Sequence, residues 1–207
     1  MYGSILNNFQ SGGLIVYLLA GISVVGLAIA FERMMNLRSE RIVSNDLLLK
    51  AERLWKAGDF NELHILVDGH KCVMSRVVKV ILKHRRKSFD NVSMIASDSA
   101  NSAIKKELHL IYPLNIIATI SPLLGLLGTI IGMIDAFRMI VLTGVSGDAT
   151  IVADGISRAL VTTAAGLIVG IPALAFYHYF KGRIGRFSGI VEESTNTILY
   201  EWLLEDK

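Results

Sequence analysis

The sequence has only one cysteine, and several arrangements typical of enzymes are missing from it. With Cys72 alone, no disulfide can form within the chain. No cluster of Cys or His surrounds it, so we expect a reduced, partly buried thiol and no metal site. There is no nucleophile–base motif and no phosphate-binding glycine loop, and the five histidines are scattered. We therefore expect no catalytic residue, no bound cofactor and no enzymatic activity.

Charge is also missing from three long stretches, at residues 1–31, 110–134 and 159–177. A helix over residues 110–134 extends roughly 37 Å at about 1.5 Å per residue, more than a hydrocarbon core of about 30 Å. A soluble helix of this length would carry a polar stripe, and none is present. The sequence therefore predicts an all-α membrane protein with three transmembrane helices. They are expected at residues 13–35, 112–140 and 151–180.

Lys and Arg are concentrated in two segments, which predicts the orientation of the chain. They crowd into residues 33–106 and follow the third span directly, whereas residues 1–12 and 141–150 have none. Segments rich in Lys and Arg remain on the cytoplasmic side of the membrane. We thus expect a periplasmic N-terminal segment (1–12) and a periplasmic loop (141–150). The cytoplasmic parts are then a helical domain (36–111) and a C-terminal helix (181–207).

The segment at 36–111 has the pattern of several amphipathic helices. Residues 44–46 supply N-cap residues, residues 56–59 read as a helix stop and restart, and residues 90–108 lead directly into the second span. The basic run at 84–87 has no interleaved aromatic residues. We interpret it as a solvated face near anionic headgroups and expect no nucleic acid partner.

Glycines share one face of each of the last two spans. Gly125, Gly128 and Gly132 fall at i, i+3 and i+7, and Gly166 and Gly170 are four residues apart. Because glycine has no side chain, a neighbouring helix can approach closely there. We predict that these five residues mediate helix packing.

Three hydroxyl groups, those of Thr129, Thr162 and Thr163, lie at mid-depth beside these glycines. Two interpretations are open. The hydroxyls can bond a neighbouring backbone and hold helices together, at about 0.6–2 kcal/mol each. Alternatively, they can line a polar path in an oligomer, since a hydroxyl both donates and accepts. A hydroxyl does not titrate in this range, and residues 110–134 and 159–177 contain no acid, so proton transfer would need a carboxylate from another chain.

Arg158 is a cation inside the third span, where charge costs about 2.5–3.5 kcal/mol on insertion scales. Asp154 precedes it by four residues and lies on the same helix face. Asp135, near the outer end of the second span, is a second possible partner. We interpret Arg158 as extending towards the outer interface and pairing with one of these acids.

Two motifs in the spans resemble those of the ExbB/TolQ/MotA proton-channel family, and within it the ExbB/TolQ branch. Residues 121–133 (SPLLGLLGTIIGM) are similar to the family's second-span motif, and residues 155–173 (GISRALVTTAAGLIVGIPA) to its third-span motif. Residues 31–33 (FER) and 56–60 (KAGDF) match more weakly. The similarity extends over nearly the whole chain.

The resemblance implies a homopentamer in the bacterial inner membrane whose second and third spans line a central pore. That pore would hold a dimeric, single-span ExbD/TolR-like partner whose membrane aspartate carries protons. Thr129 and Thr163 match the family's pore-facing threonines, and Thr162 is adjacent. Where the family usually has Glu, this chain has Arg158, and a positive ring would repel cations unless Asp154 or Asp135 neutralised it.

The function predicted on this basis is a proton-channel or stator subunit of an energy-transducing motor, with the proton-motive force as its only energy source. It would power TonB-dependent uptake, Tol-type envelope maintenance or gliding, through a TonB-like or other envelope effector. The alternative is a non-conducting membrane scaffold that assembles a partner complex, with Arg158 closing the path. A third possibility, a membrane enzyme, is disfavoured because the sequence contains no arrangement of catalytic residues.

Overall fold

The computed structural model describes residues 13–37, 45–70, 72–143 and 149–203. Within these ranges all regular structure is helical, which confirms the predicted all-α class. The helices are α1 (Gly13–Asn36), α2 (Asn45–Lys56), α3 (Phe60–Gly69), α4 (Val73–His84), α5 (Phe89–Thr143) and α6 (Ala149–Leu203). The predicted segment 1–12, residues 144–148 of the predicted loop and residues 204–207 lie outside the described residues.

Three helices, α1, α5 and α6, are long and apolar enough to cross a membrane, by length and composition. Within the described ranges these candidate spans are Leu14–Asn36, Phe89–Met139 and Ala153–Leu203. Each contains most of one stretch predicted from the missing charges, so the three predicted spans lie on three separate helices.

Helices α5 and α6 each continue for 55 residues without interruption. Residues 90–108 therefore continue into the second span, as predicted, whereas the predicted C-terminal helix begins inside α6. Pro113, Pro122 and Pro172 all lie within these helices. Each proline removes one backbone donor, but a helix at membrane depth that stopped there would leave many more groups unbonded.

The chain divides into two compact units. We call the first, Met1–Phe31 with Tyr112–His178, the apolar unit, and the second, Glu32–Ile111 with Tyr179–Lys207, the charged unit. All statements below concern the described residues of one unit at a time.

The core of the apolar unit is small. Ile117, Ala118 and Ala173 form its buried cluster, with Ile22 and Val169 packed against it. Most other large side chains of this unit are exposed, for example Leu14, Leu123 and Ile168 at 85%, 60% and 72%. Such a surface is suited to lipid or to other helices.

The charged unit has a larger core, to which α2, α3 and α4 contribute by packing on one another. The predicted break at residues 56–59 is present, and Gly58 adopts the φ of +72° that the turn requires. The carboxylate of Asp59 then caps α3 by accepting from the amide of Glu62 at 3.1 Å. Buried residues of these three helices include Leu47, Ala51, Leu63, Val67, Met74, Val77, Val78 and Ile81.

Cys72 has a structural role that the sequence did not reveal. Its Sγ accepts from the amide of Ser75 at 3.3 Å, so Cys72 is the N-cap of α4. It is only 4% exposed, so the thiol is buried rather than partly buried as predicted.

The C-terminal end of α6 contacts α2 through two aromatic residues that are far apart in sequence. The rings of Trp55 and Trp202 stack with centroids 4.8 Å apart. Nε1 of Trp55 donates to the carbonyl of Trp202 at 3.0 Å. In the same unit, Arg33 is 7% exposed and its guanidinium donates to Glu107 at 3.1 Å, which links the end of α1 to α5.

Candidate functional site

Helices α5 and α6 meet at their glycines in the apolar unit. A Cβ at Gly125 would lie 2.8 Å from the carbonyl oxygen of Thr162 and 3.0 Å from Cα of Thr163. A Cβ at Gly166 would lie 2.5 Å from the carbonyl oxygen of Ser121. The two backbones are therefore in direct contact, and no larger residue fits without moving one helix.

The other three predicted packing glycines lie in the same contact. A Cβ at Gly128 would lie 2.5 Å from Oγ1 of Thr162, and one at Gly132 would lie 3.1 Å from Cβ of Ala159. A Cβ at Gly170 would lie 2.9 Å from the ring of Pro122. The structure thus brings all five glycines together on facing sides of α5 and α6.

The sequence reasoning missed the outer end of this contact. A Cβ at Gly155 would overlap the side chain of Ala136, so the close approach extends beyond Gly132. The signal was present in the sequence, because Ala136 lies four residues after Gly132 and Ala159 four residues after Gly155.

The carbonyl of Gly125 is a shared acceptor for two of the predicted threonines. Oγ1 of Thr163 donates to it at 3.2 Å. Oγ1 of Thr162 donates to the carbonyl of Ala159 at 2.7 Å and makes a longer second bond, 3.3 Å, to Gly125. These are the contacts expected if the hydroxyls hold the helices together.

The three threonines differ in exposure. Thr162 and Thr129 are 3% and 8% exposed, whereas Thr163 is half-buried. The hydroxyl of Thr129 donates to the carbonyl of Leu126 at 2.7 Å, within its own helix. Each hydroxyl proton is therefore engaged inside the chain, while oxygen lone pairs remain free to accept.

Ser121 is a further polar residue of this contact. It is fully buried, and its Oγ has no hydrogen-bond partner among the residues that the structure describes. It lies one turn before Gly125, against Gly166.

A cavity of about 500 Å³, the outer cavity, lies beside the same helices in the apolar unit. The start of α1, the end of the spanning part of α5 and the start of α6 line it together. Its lining residues are Leu14, Ile15, Gly128, Ile131, Gly132, Asp135, Ala136, Met139, Asp154, Gly155, Arg158, Ala159 and Thr162.

All three charged residues discussed from the sequence line the outer cavity. Arg158 forms an ion pair with Asp154 at 2.7 Å, with the two side chains 54% and 60% exposed. Asp135 makes no ion pair within the described ranges. The guanidinium is therefore compensated within its own helix, and one carboxylate in the cavity is not.

Among the described residues, no group of three or more His, Cys, Asp or Glu is arranged to hold a metal ion. The polar atoms of this region are instead hydroxyls, backbone carbonyls and the three charged groups. Such a set can bind water and cations but contains no nucleophile–base pair.

Comparison with known proteins places this contact inside a matched region. A family model described as the MotA/TolQ/ExbB proton channel family matches residues 70–193. A putative biopolymer transport protein ExbB homolog of Methanothermobacter thermautotrophicus is 32% identical over 188 residues, 88% of this chain and 65% of that protein.

Two further relatives match to different extents. The putative biopolymer transport protein ExbB-like 3 of Synechocystis sp. is 29% identical over 197 residues, 91% of this chain and 90% of that protein. The biopolymer transport protein exbB1 of Vibrio cholerae is 37% identical over 107 residues, 50% of this chain and 45% of that protein.

Proposed function

Since the chain belongs to the MotA/TolQ/ExbB proton channel family, we propose that it is the channel-forming subunit of an energy-transducing complex. The family resemblance seen in the sequence is thereby confirmed. With three helices apolar enough to cross a membrane, the chain is a multi-pass protein of the inner (cytoplasmic) membrane. The proposal concerns what it does there.

One observation supports the proposal most directly. Thr162 and Thr163 both reach the carbonyl of Gly125, with Thr129 one turn further along α5, inside the region that matches the family. Residues 110–134 and 159–177, which surround them, contain no acid. This region can therefore hold water or a cation, but it cannot take up a proton by itself.

Because residues 110–134 and 159–177 contain no acid, a partner chain has to supply the proton-carrying carboxylate. We propose that copies of this chain, five by the family resemblance, surround a dimeric, single-span ExbD/TolR-like protein that supplies a membrane aspartate. The proton-motive force, about 2.3 kcal/mol per elementary charge per 100 mV, then drives movement of the partner helices. A TonB-like or other effector passes the work to uptake, envelope maintenance or gliding.

The orientation proposed from the Lys and Arg distribution places residues 1–12 and 141–150 outside and residues 36–111 and 181–207 in the cytoplasm. The lining of the outer cavity supports it. The start of α1, the end of α5's span and the start of α6 lie at the same end of the apolar unit, as the alternation of three spans requires.

Valine substitutions test the channel function, because valine keeps the shape of threonine and removes the hydroxyl. We expect Thr129→Val and Thr163→Val each to lower proton flux about tenfold in liposomes that contain the chain and its partner. That factor corresponds to about 1.4 kcal/mol, the order of one hydrogen bond.

Thr119→Val is the matched control for this experiment. Thr119 lies in the same span and bonds the carbonyl of Asn115 at 2.9 Å within its own helix. It is exposed and lies six residues before Gly125. Its substitution should leave the flux unchanged. Full flux in the Thr129→Val, Thr163→Val double variant would exclude a hydroxyl-lined path.

The alternative is a non-conducting scaffold, and one observation favours it. Each of the three threonine hydroxyls donates within the chain, as helix-packing residues would. A scaffold predicts that the assembled complex of chain and partner forms normally but carries no proton flux above that of empty liposomes.

A further inference from the structure

The position of charge in the outer cavity is unusual. Asp135, Asp154 and Arg158 lie within two predicted spans and face one cavity. Charged side chains in spans are costly and are found where they face other charges or a water-filled space. Arg158 and Asp154 satisfy each other at 2.7 Å, which leaves Asp135 as the uncompensated charge.

The outer cavity also extends away from these charges towards the middle of the span. Its lining includes Gly128 and Thr162, and Asp135 follows Gly128 by seven helical positions, a distance of roughly 10 Å. Between Gly128 and Asp135 the lining of the cavity includes three small residues, Gly132, Gly155 and Ala159. The same glycines that let α5 and α6 approach each other thus leave space beside the contact.

We propose that the outer cavity is a water-filled access route for monovalent cations, hydronium in particular, within a single subunit. In this route Asp135 attracts the cation, and Asp154 keeps Arg158 from repelling it. The route leads to the Thr162 end of the Gly125 contact. This inference rests on the proposed channel function and adds where the cation enters.

Charge and volume both favour water over an acyl chain as the occupant. A lipid tail would place Asp135, which forms no ion pair among the described residues, against hydrocarbon, and burying such a charge is costly. A cavity of about 500 Å³ has room for several water molecules, each of which needs polar partners. Two carboxylates and a guanidinium at one end supply them.

Two neighbouring isoleucines allow a matched test by cysteine labelling in a Cys72→Ser background. Ile131 lines the outer cavity and Ile130 does not, although they are 44% and 46% exposed. Ile134, 59% exposed and also outside the lining, is a second control. Each of these three isoleucines is replaced by cysteine in a separate variant. Labelling is then measured in sealed inner-membrane vesicles of either orientation.

The probes are a cationic and an anionic membrane-impermeant methanethiosulfonate. We expect Ile131→Cys to react at least tenfold faster than both controls, from the periplasmic face only, and to prefer the cationic reagent. Adding Asp135→Asn should reduce that preference severalfold, since it removes the uncompensated charge near the thiol.

Equal, slow labelling at all three positions would overturn the inference, because an acyl chain or another subunit would then fill the cavity. A cationic preference that survives Asp135→Asn would exclude the role given to that residue. If Ile131→Cys does not assemble, Met139→Cys, which also lines the outer cavity and is 49% exposed, carries the same expectation. Labelling needs neither partner nor proton flux, so its failure is distinct from failure of the proposed function.

Discussion

The two halves of α6 contain glycines of opposite kinds. In the apolar unit, Gly166 and Gly170 touch α5 so closely that a Cβ would lie within 2.9 Å of its atoms. In the charged unit, Gly182, Gly185 and Gly189 have nothing within 4 Å of a Cβ position. Equal glycine content along one helix therefore reflects close packing in one half and open space in the other.

The wider contrast between the units follows from their solvents. Lipid tails are as apolar as leucine, so helices in a membrane associate through close backbone contact and hydrogen bonds. The apolar unit does so with five glycines and the Gly125 carbonyl. The charged unit instead buries large side chains such as Trp55 and Trp202, as expected where water supplies the hydrophobic effect.

The largest expected effect of a single substitution lies in the charged unit. Trp202→Ala should destabilise this unit by about 3–5 kcal/mol, because it removes the stack with Trp55 and leaves a cavity. The chain has two tryptophans, both in the charged unit, so the emission of Trp55 during denaturation measures the loss directly.

Trp202→Phe provides the control for the stack. It retains an aromatic ring and the backbone carbonyl that accepts from Trp55, and it removes an indole N–H without a partner in the described part of the chain. We expect a clearly smaller loss. Equal losses for the Phe and Ala variants would contradict the stabilising role given to the stacked aromatic ring.

A smaller effect, with opposite signs in the two units, is expected for glycine-to-alanine changes in α6. Gly166→Ala should destabilise the apolar unit by about 1–3 kcal/mol, because the new methyl group overlaps the backbone of α5. Gly185→Ala should stabilise by about 0.5–1 kcal/mol, because alanine is the better helix former. Thermal melting followed by circular dichroism in detergent measures both.

The sign of the Gly185→Ala effect sharpens the comparison. A loss of stability there would mean that another chain occupies the open space in the assembled protein. A neutral Gly166→Ala would contradict the close contact of α5 and α6.

The smallest expected effect is pH-dependent and lies on the surface of the charged unit. A hydrogen bond from the Lys79 ammonium holds the pKa of the Asp68 carboxyl below its usual value of 3.8. A depressed pKa gives stability that is present above the unfolded value and is lost as pH falls through the folded one. Wild type should therefore lose slightly more stability between about pH 6 and pH 3 than Asp68→Asn.

Lys79→Gln should remove the larger part of this pH dependence, because His64, 3.0 Å from Asp68, contributes the rest. Added salt should weaken it, since the pairs are exposed. Identical pH profiles for wild type and both variants would mean that the ion pair contributes nothing in solution.

The sequence predicted features that depend on local pattern. The charge-free stretches indicated α1 and the spanning parts of α5 and α6, and residues 56–59 indicated the break before α3. The spacing of Gly125, Gly128 and Gly132 indicated a single face, because that spacing needs only the helical period.

Features that depend on a distant neighbour were not predictable. Thr162 and Thr163 are adjacent, and which of them is buried depends on where α5 lies. The Trp55–Trp202 stack joins residues 147 apart, and the buried Ser121 hydroxyl has no local signature. The continuity of α5 past residue 111 was predicted, whereas that of α6 past residue 180 was missed, because a helix that leaves the bilayer without a turn has no stop signal there.

The shared acceptor at Gly125 has a consequence for genetics. Two donors reach one carbonyl oxygen, so removing either threonine leaves the other to bond it. Single alanine or valine substitutions will then weaken the packing of α5 on α6 only mildly, a loss separate from the reduced proton flux expected for Thr163→Val. Only the double substitution strips the oxygen of both donors, so the combined defect should exceed the sum of the separate ones.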